Sequence, residues 1–204
     1  MHKYTSNKSH RKEVIVIITI LSLISNFVLT PLCDLLLIEL KGYLEPIFIP
    51  FILIIGFGFS TIFGIFYLIF DKWLWQIIPG IKSQKISGIY LCDGNSNYKI
   101  HEWKGVITIK QTWSKILISL KTDNSYSQSY MADIDVLDDG KIVLYYCYRN
   151  DPNGKLKILH KHEGTSTITF DGTSINGKYY NYPNDRQRYG TFVLNKQEKK
   201  YNEF

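Results

Sequence analysis

Two stretches of this chain run for the length of a membrane-crossing helix without a charged residue. The first is Val14 to Cys33; the second begins near Ile47, after Pro46, and stops before Asp71. About twenty apolar residues wound as a helix span the hydrocarbon core of a bilayer. The first run is too long for the apolar core of a cleaved signal peptide. No small-x-small motif closes it, and a second run follows shortly after. Buried helices of a soluble protein are the alternative, but the length criterion is met twice. The expected layout is a basic cytoplasmic tail at 1–13, a transmembrane helix at 14–33, a short extracytoplasmic turn at 34–46 and a second transmembrane helix at 47–70. A juxtamembrane linker at 71–82 and a cytosolic domain at 83–204 follow.

The flanks orient this hairpin. Lys3, Lys8, Arg11 and Lys12 precede the first span, whereas the turn holds Lys41 among Asp34, Glu39 and Glu45. The positive-inside bias puts the N-terminus in the cytoplasm and, after two crossings, the rest of the chain as well. Trp73 and Trp75 follow the second span, where indoles favour the membrane interface.

Set into the second run, four residues apart, are Gly56, Ser60 and Gly64. Such residues share one helix face. Small residues let helix backbones approach in lipid, where hiding apolar surface gains nothing. The stripe packs either against the first span of the same chain or against another chain, as a membrane-assembly face.

About 130 residues follow the second span, enough for one domain. It reads as all-β. Turn signals recur at Asp93-Gly94, Asp139-Gly140, "DPNG" at 151–154, Asp171-Gly172 and "YPND" at 182–185. Between them lie short β-branched and aromatic runs with period-two alternation, as in "KILISLK" and "KIVLYYCYR". The runs predict about eight strands, near 86–92, 98–111, 114–122, 125–136, 141–149, 158–170, 174–181 and 188–195. That number suits a small closed antiparallel barrel, with an open sandwich as the alternative. Gly88-Ile89-Tyr90, Gly177-Lys178-Tyr179 and Gly190-Thr191-Phe192 pair a glycine with an aromatic on the same face, a device for bending strands. They fall in the first and the last two strands, which closure makes neighbours.

Little here suggests catalysis. The chain has no Walker A loop, no G-x-S-x-G and no metal spacing among Cys33, Cys92 and Cys147. His160 and His162 share a strand face in a metal-ligand arrangement, but a polar strand end is the simpler account. Asp133, Asp135, Asp138 and Asp139 read as a solvated strand end beside a turn. No enzyme activity, metal or cofactor is expected. The net charge of +6 suits anionic lipid headgroups or an anionic ligand.

The two spans, the β-only domain and the segments "SYSQSYMADI", "LYYCYRNDP", "LHKHEGTSTI" and "INGKYYNYPNDRQRYGTFVL" together resemble one bacterial family. These are the two-transmembrane, β-strand-rich effectors encoded beside cyclic-oligonucleotide synthases in CBASS antiphage systems. The resemblance implies a β-barrel receptor at the inner membrane. It would bind a cyclic oligonucleotide, a cyclic dinucleotide above all, made by a neighbouring synthase on infection. Binding would drive homo-oligomerisation among the inner-membrane lipids, membrane disruption and abortive infection. No DNA or RNA polymer is implied as a partner.

Such a ligand presents two phosphates and two bases, and calls for Arg or Lys and for aromatic faces. Ser127 and Ser129 share a strand face with Ser125, with a phase slip near Met131 that suggests a bulge. Tyr146, Tyr148 and Asn150 share a face of the next strand, and Arg186 and Arg188 flank the last turn. These seven are the candidate ligand contacts. Barrel packing for the tyrosines, and solubility or membrane contact for the arginines, are the competing roles. A membrane-tethered carrier of a small apolar molecule, or a scaffold for protein partners, is the rival function. A lumen filled with side chains would argue against the carrier.

Overall fold

The computed structural model describes residues 1–40, 58–81, 84–97, 101–152, 161–172, 174–181 and 187–197. Gly56, Arg186, His160, "YPND" and most of the expected second span lie outside them. The chain forms two units, 10–77 and 1–9 with 78–204.

The helical unit holds α1 (Arg11–Leu40) and α2 (Phe59–Lys72), which pack against each other. Over Arg11–Leu32, α1 is long and apolar enough to cross a membrane. It buries a stripe of Val14, Ile18 and Ser22, at helical spacing, and leaves most of its other apolar side chains exposed, Phe27 by 82%. The helix starts three residues before the expected span and continues through "DLLLIEL", which had been assigned to the turn. That segment is rich in leucine, a strong helix former, and nothing in it ends a helix. On α2, Ser60 is exposed, and no described atom lies within 4 Å of where a Cβ on Gly64 would sit. Trp73 is exposed, but Trp75 is 1% exposed, so its indole lies inside the protein and not free at a membrane interface.

The other unit is a closed antiparallel barrel of eight strands. They are β3 (Gly88–Ser96), β4 (His101–Gln111), β5 (Lys115–Thr122), β6 (Ser125–Val136), β7 (Ile142–Pro152), β8 (His162–Asp171), β9 (Ser174–Asn181) and β10 (Arg188–Lys196). Each strand pairs with its neighbour in sequence. β10 returns to β3, and the β5–β6 pairing completes the ring. The bulge expected near Met131 is present as a register shift between Ser129 and Met131.

One turn signal fails. Asp93-Gly94 lies inside β3, where a Cβ on Gly94 would fall 2.3 Å from the Trp103 indole. This glycine makes room for a tryptophan on the paired strand and bends nothing. By contrast, Gly140 and Gly172 adopt φ of 85° and 56°, and there the Asp-Gly signals do mark turns. The glycine–aromatic units also work differently from the expected pattern. Tyr90 covers Gly88 on its own strand, but Gly177 lies under Phe192 of β10 and Gly190 under Tyr179 of β9. The cover crosses the strands, which ties β9 to β10 and leaves no gap at either bend.

The unanticipated element is the N-terminus. Short strands β1 (His2–Lys3) and β2 (Thr5–Ser6) flank Tyr4, which is 3% exposed and belongs to the barrel core. Residues 2–6 of the expected basic tail are thus part of the barrel wall, while Arg11, Lys12 and Glu13 belong to α1.

Candidate functional site

Alternation along the strands sends two different populations of side chains inward. Toward the end where β4 turns into β5 and β6 into β7, the lumen is filled by Ile107, Ile109, Ile116, Ile118, Ile134, Leu144 and Ile168, all buried. At the opposite end the inward positions carry Ser127, Ser129, Tyr148, Asn150, Asn181 and His162, beside Trp103 and Tyr179.

Register assembles this polar end. Ser129 of β6 pairs with Tyr148 of β7, Tyr148 with Gly164 of β8, Gly164 with Asn181 of β9, and Asn181 with Arg188 of β10. One step nearer the rim, Ser127 pairs with Asn150 and Asn150 with His162. The glycine is required: a Cβ on Gly164 would fall 2.6 Å from the Tyr148 hydroxyl. Arg188 sits at the inward-facing phase of β10, two steps beyond Gly190 and four beyond Phe192.

Hydrogen bonds connect these groups. Ser127 Oγ donates to Asn150 Oδ1 at 2.8 Å. Asn181 Nδ2 donates to the Tyr148 hydroxyl at 3.3 Å and lies 3.2 Å from His162 Nε2. Asn181 Oδ1 is buried and meets no donor among the described residues. A buried acceptor without a donor is costly and calls for an explanation. Trp103 meets Tyr179 edge-on at 6.0 Å and lies 6.1 Å from Phe192, a geometry favoured by the ring quadrupoles. Burial pushes the Tyr148 phenol up to about 12, and raises Tyr146 likewise, so both are neutral hydroxyls at physiological pH.

Of the seven expected contacts, Ser127, Ser129, Tyr148, Asn150 and Arg188 converge on this end. Tyr146 is buried one inward step toward the apolar end, its ring 6.1 Å from that of Tyr148. Arg186 lies outside the described residues. Ser129 is already engaged: its Oγ accepts the Ile118 amide at 2.9 Å and meets His2 Nε2 at 2.8 Å. Asn181 and Tyr179 are not among the expected contacts. Their strands were recognised, and the inward phase of each follows from its alternation, but the register that sets Asn181 between Gly164 and Arg188 arises only when the strands pair. His162, read with His160 as a polar strand end, lies here; no metal-binding group of three His, Cys, Asp or Glu occurs among the described residues.

Comparison with known proteins bears on this arrangement. The family model described as Cap15, cyclic dinucleotide receptor domain, matches residues 81–196, more than half of the chain. CD-NTase-associated protein 15 of Yersinia aleksiciae is 34% identical over 146 residues, covering 65% of this chain and 66% of that protein. Its namesake from Staphylococcus schleiferi is 30% identical over 115 residues, covering 53% and 60%. The chain thus spans just under two thirds of the curated relatives it matches.

Proposed function

The chain belongs to the Cap15 family of CBASS effectors with a cyclic dinucleotide receptor domain, and on that premise we propose that the polar end of its lumen binds a cyclic dinucleotide made by a neighbouring synthase. The observation that carries the assignment is Asn181. Its amide nitrogen is committed to Tyr148 and His162, while its buried Oδ1 meets no described donor. An exocyclic amine of adenine, guanine or cytosine is the donor that such an acceptor suits; uracil lacks one and offers only its ring N3–H. Arg188, one register step away, suits a phosphate through charge-assisted hydrogen bonds. Trp103 and Tyr179 supply aromatic surface for bases. Arg186 belongs to the same proposed anion site by its position in the chain.

At the membrane, α1 acts as one span and the run ending in α2 as the return span. The basic N-terminal residues keep both termini on the cytoplasmic side of the inner membrane. A bound ligand promotes self-assembly through the Gly56, Ser60 and Gly64 face. Support comes from Ser60, which is exposed, and from Gly64, where an added Cβ would meet no described atom within 4 Å. Assembly in turn disrupts the membrane and ends the infection by killing the host cell. The carrier alternative is weakened by the apolar end, where Ile107, Ile116, Ile134, Leu144 and Ile168 fill the lumen. The role assigned to the chain is reception and response, with no catalytic step and no cofactor.

Calorimetric titration of the detergent-solubilised full chain with cyclic di-AMP, cyclic di-GMP and cyclic di-UMP tests the site. Saturable binding is expected for a ligand bearing an amine, with cyclic di-UMP at least about tenfold weaker. Equal affinity for all three removes Asn181 as a base reader. Binding of none overturns the assignment. Dye release from vesicles carrying the chain, with and without the ligand that binds, tests the response.

A further inference from the structure

The barrel wall has one seam. β5 and β6 pair only over Ser119–Lys121 and Tyr126–Gln128, next to their connecting turn. Below that fork the two strands part, and the N-terminal segment lies between them. His2 and Lys3 pair antiparallel with Ile116 and Lys115, while Thr5 and Ser6 pair parallel with Asp133 and Ile134. A single extended segment between two antiparallel strands must run antiparallel to one and parallel to the other, so the mixed pairing is what insertion requires.

Side chains secure both flanks. Tyr4 enters the core, and its hydroxyl accepts from Gln111 Nε2 at 3.2 Å. Asn7 Oδ1 accepts the Val136 amide at 2.9 Å, and its Nδ2 donates to the Val136 carbonyl at 3.0 Å. Thr5 bonds Asp133 and the Gln84 amide bonds the Lys8 carbonyl. Trp113 Nε1 donates to the Ser9 carbonyl at 3.3 Å. Only His10, at φ 46°, separates this segment from the start of α1.

The fork itself meets the polar site. At the bulge, Ser129 Oγ takes over the Ile118 amide and also bonds His2. We propose that residues 2–9 are a latch, a detachable strip of barrel wall held in the β5–β6 seam, and that ligand bound at the polar end releases it by competing with His2 for Ser129, so that occupancy is passed directly to α1. His2 Nδ1 faces the Lys3 carbonyl at 3.0 Å and so carries the ring proton, which leaves Nε2 to accept from Ser129 Oγ; the hydroxyl has only one proton, so a ligand oxygen that accepts it displaces His2. The coupling rests on a cyclic dinucleotide occupying the polar end; the latch itself does not.

The test uses the full chain carrying Lys3→Cys and Lys115→Cys, exposed partners in register, with Cys33→Ser and Cys147→Ser. Mild oxidation without ligand is expected to give the 3–115 disulfide; its absence overturns the latch. The cyclic dinucleotide that binds in calorimetry, added before oxidation, is expected to lower the yield at least about threefold. Binding with an unchanged yield overturns the coupling. If no cyclic dinucleotide binds, the ligand assignment fails, and hydrogen exchange decides the latch alone. Tyr4→Ala is expected to speed exchange at Ile116, Ile118 and 132–136 at least about tenfold while leaving β8 and β9 protected. Unchanged exchange overturns the latch, as does an equal rise in every strand, which would make the segment ordinary core.

Discussion

The two ends of the barrel lumen are built by the same eight strands with the same alternation, yet they hold opposite chemistry. At one end Ile107, Ile116, Ile134, Leu144 and Ile168 exclude water, and their burial supplies the hydrophobic stabilisation of the fold. At the other, Ser127 bonds Asn150, and Asn181 bonds Tyr148 and meets His162 while its own Oδ1 has no described partner. A β-strand imposes only which face a side chain takes, so a barrel can put stability at one end and recognition at the other without changing its backbone.

The sharpest break of that contrast is Leu144→Ala. Leu144 is fully buried, so its truncation should cost about 2 to 5 kcal/mol by thermal or denaturant unfolding. Ligand affinity of the molecules that remain folded should stay unchanged; a parallel loss of affinity would show that the two ends are not separable. Asn150→Ala should mix the two effects. It strands the Ser127 hydroxyl at a cost of about 1 to 3 kcal/mol in stability and also weakens the ligand. Arg188→Ala should fall mainly on recognition, with about 1.5 kcal/mol of affinity lost. Affinity unmoved in calorimetry would relocate the phosphate contact to the rim.

The smallest effect is on pH dependence. Cys92, deep on the apolar side, is raised by burial from 9.0 to about 12, with the charge of Asp93 adding to the shift. The native state therefore keeps its proton where the unfolded chain loses it. This contribution is intact below pH 9 and is lost as pH climbs from 9 towards 12. Tyr90 and Tyr148, raised from 10.0 to about 12, add to the decline above pH 10. Cys92→Ala should flatten the stability curve between pH 9 and 10 by about 1 kcal/mol, measured as unfolding midpoints across that range. An unaltered slope would mean the thiol is not shielded by the barrel.

Much of this architecture could be read locally. Asp139-Gly140 and Asp171-Gly172 announced two turns, and alternation in "KIVLYYCYR" puts Leu144, Tyr146 and Tyr148 on one face, which the structure buries. The phase slip at Met131 was visible because Ser125, Ser127 and Ser129 fall out of step with Ala132 and Ile134. Gly94 misled because the residue that explains it, Trp103, sits on another strand. Asn181 carried no signal of its own; it matters because β9 lies between β8 and β10.

What the sequence determines by itself is whatever depends on a few consecutive residues: an apolar helix long enough for a membrane, eight strands, and the face each side chain takes. Helical and strand periods are properties of the local backbone. Closure, which sets β10 beside β3, and the registers that set Arg188 beside Asn181 and Ser129 beside Tyr148, belong to the tertiary structure. So does the insertion of residues 2–6 into a wall more than a hundred positions away. "HKYTS" is too short to show a period and pairs only because β5 and β6 diverge around it. Pairing energy arises between strands, and no local stretch contains both partners.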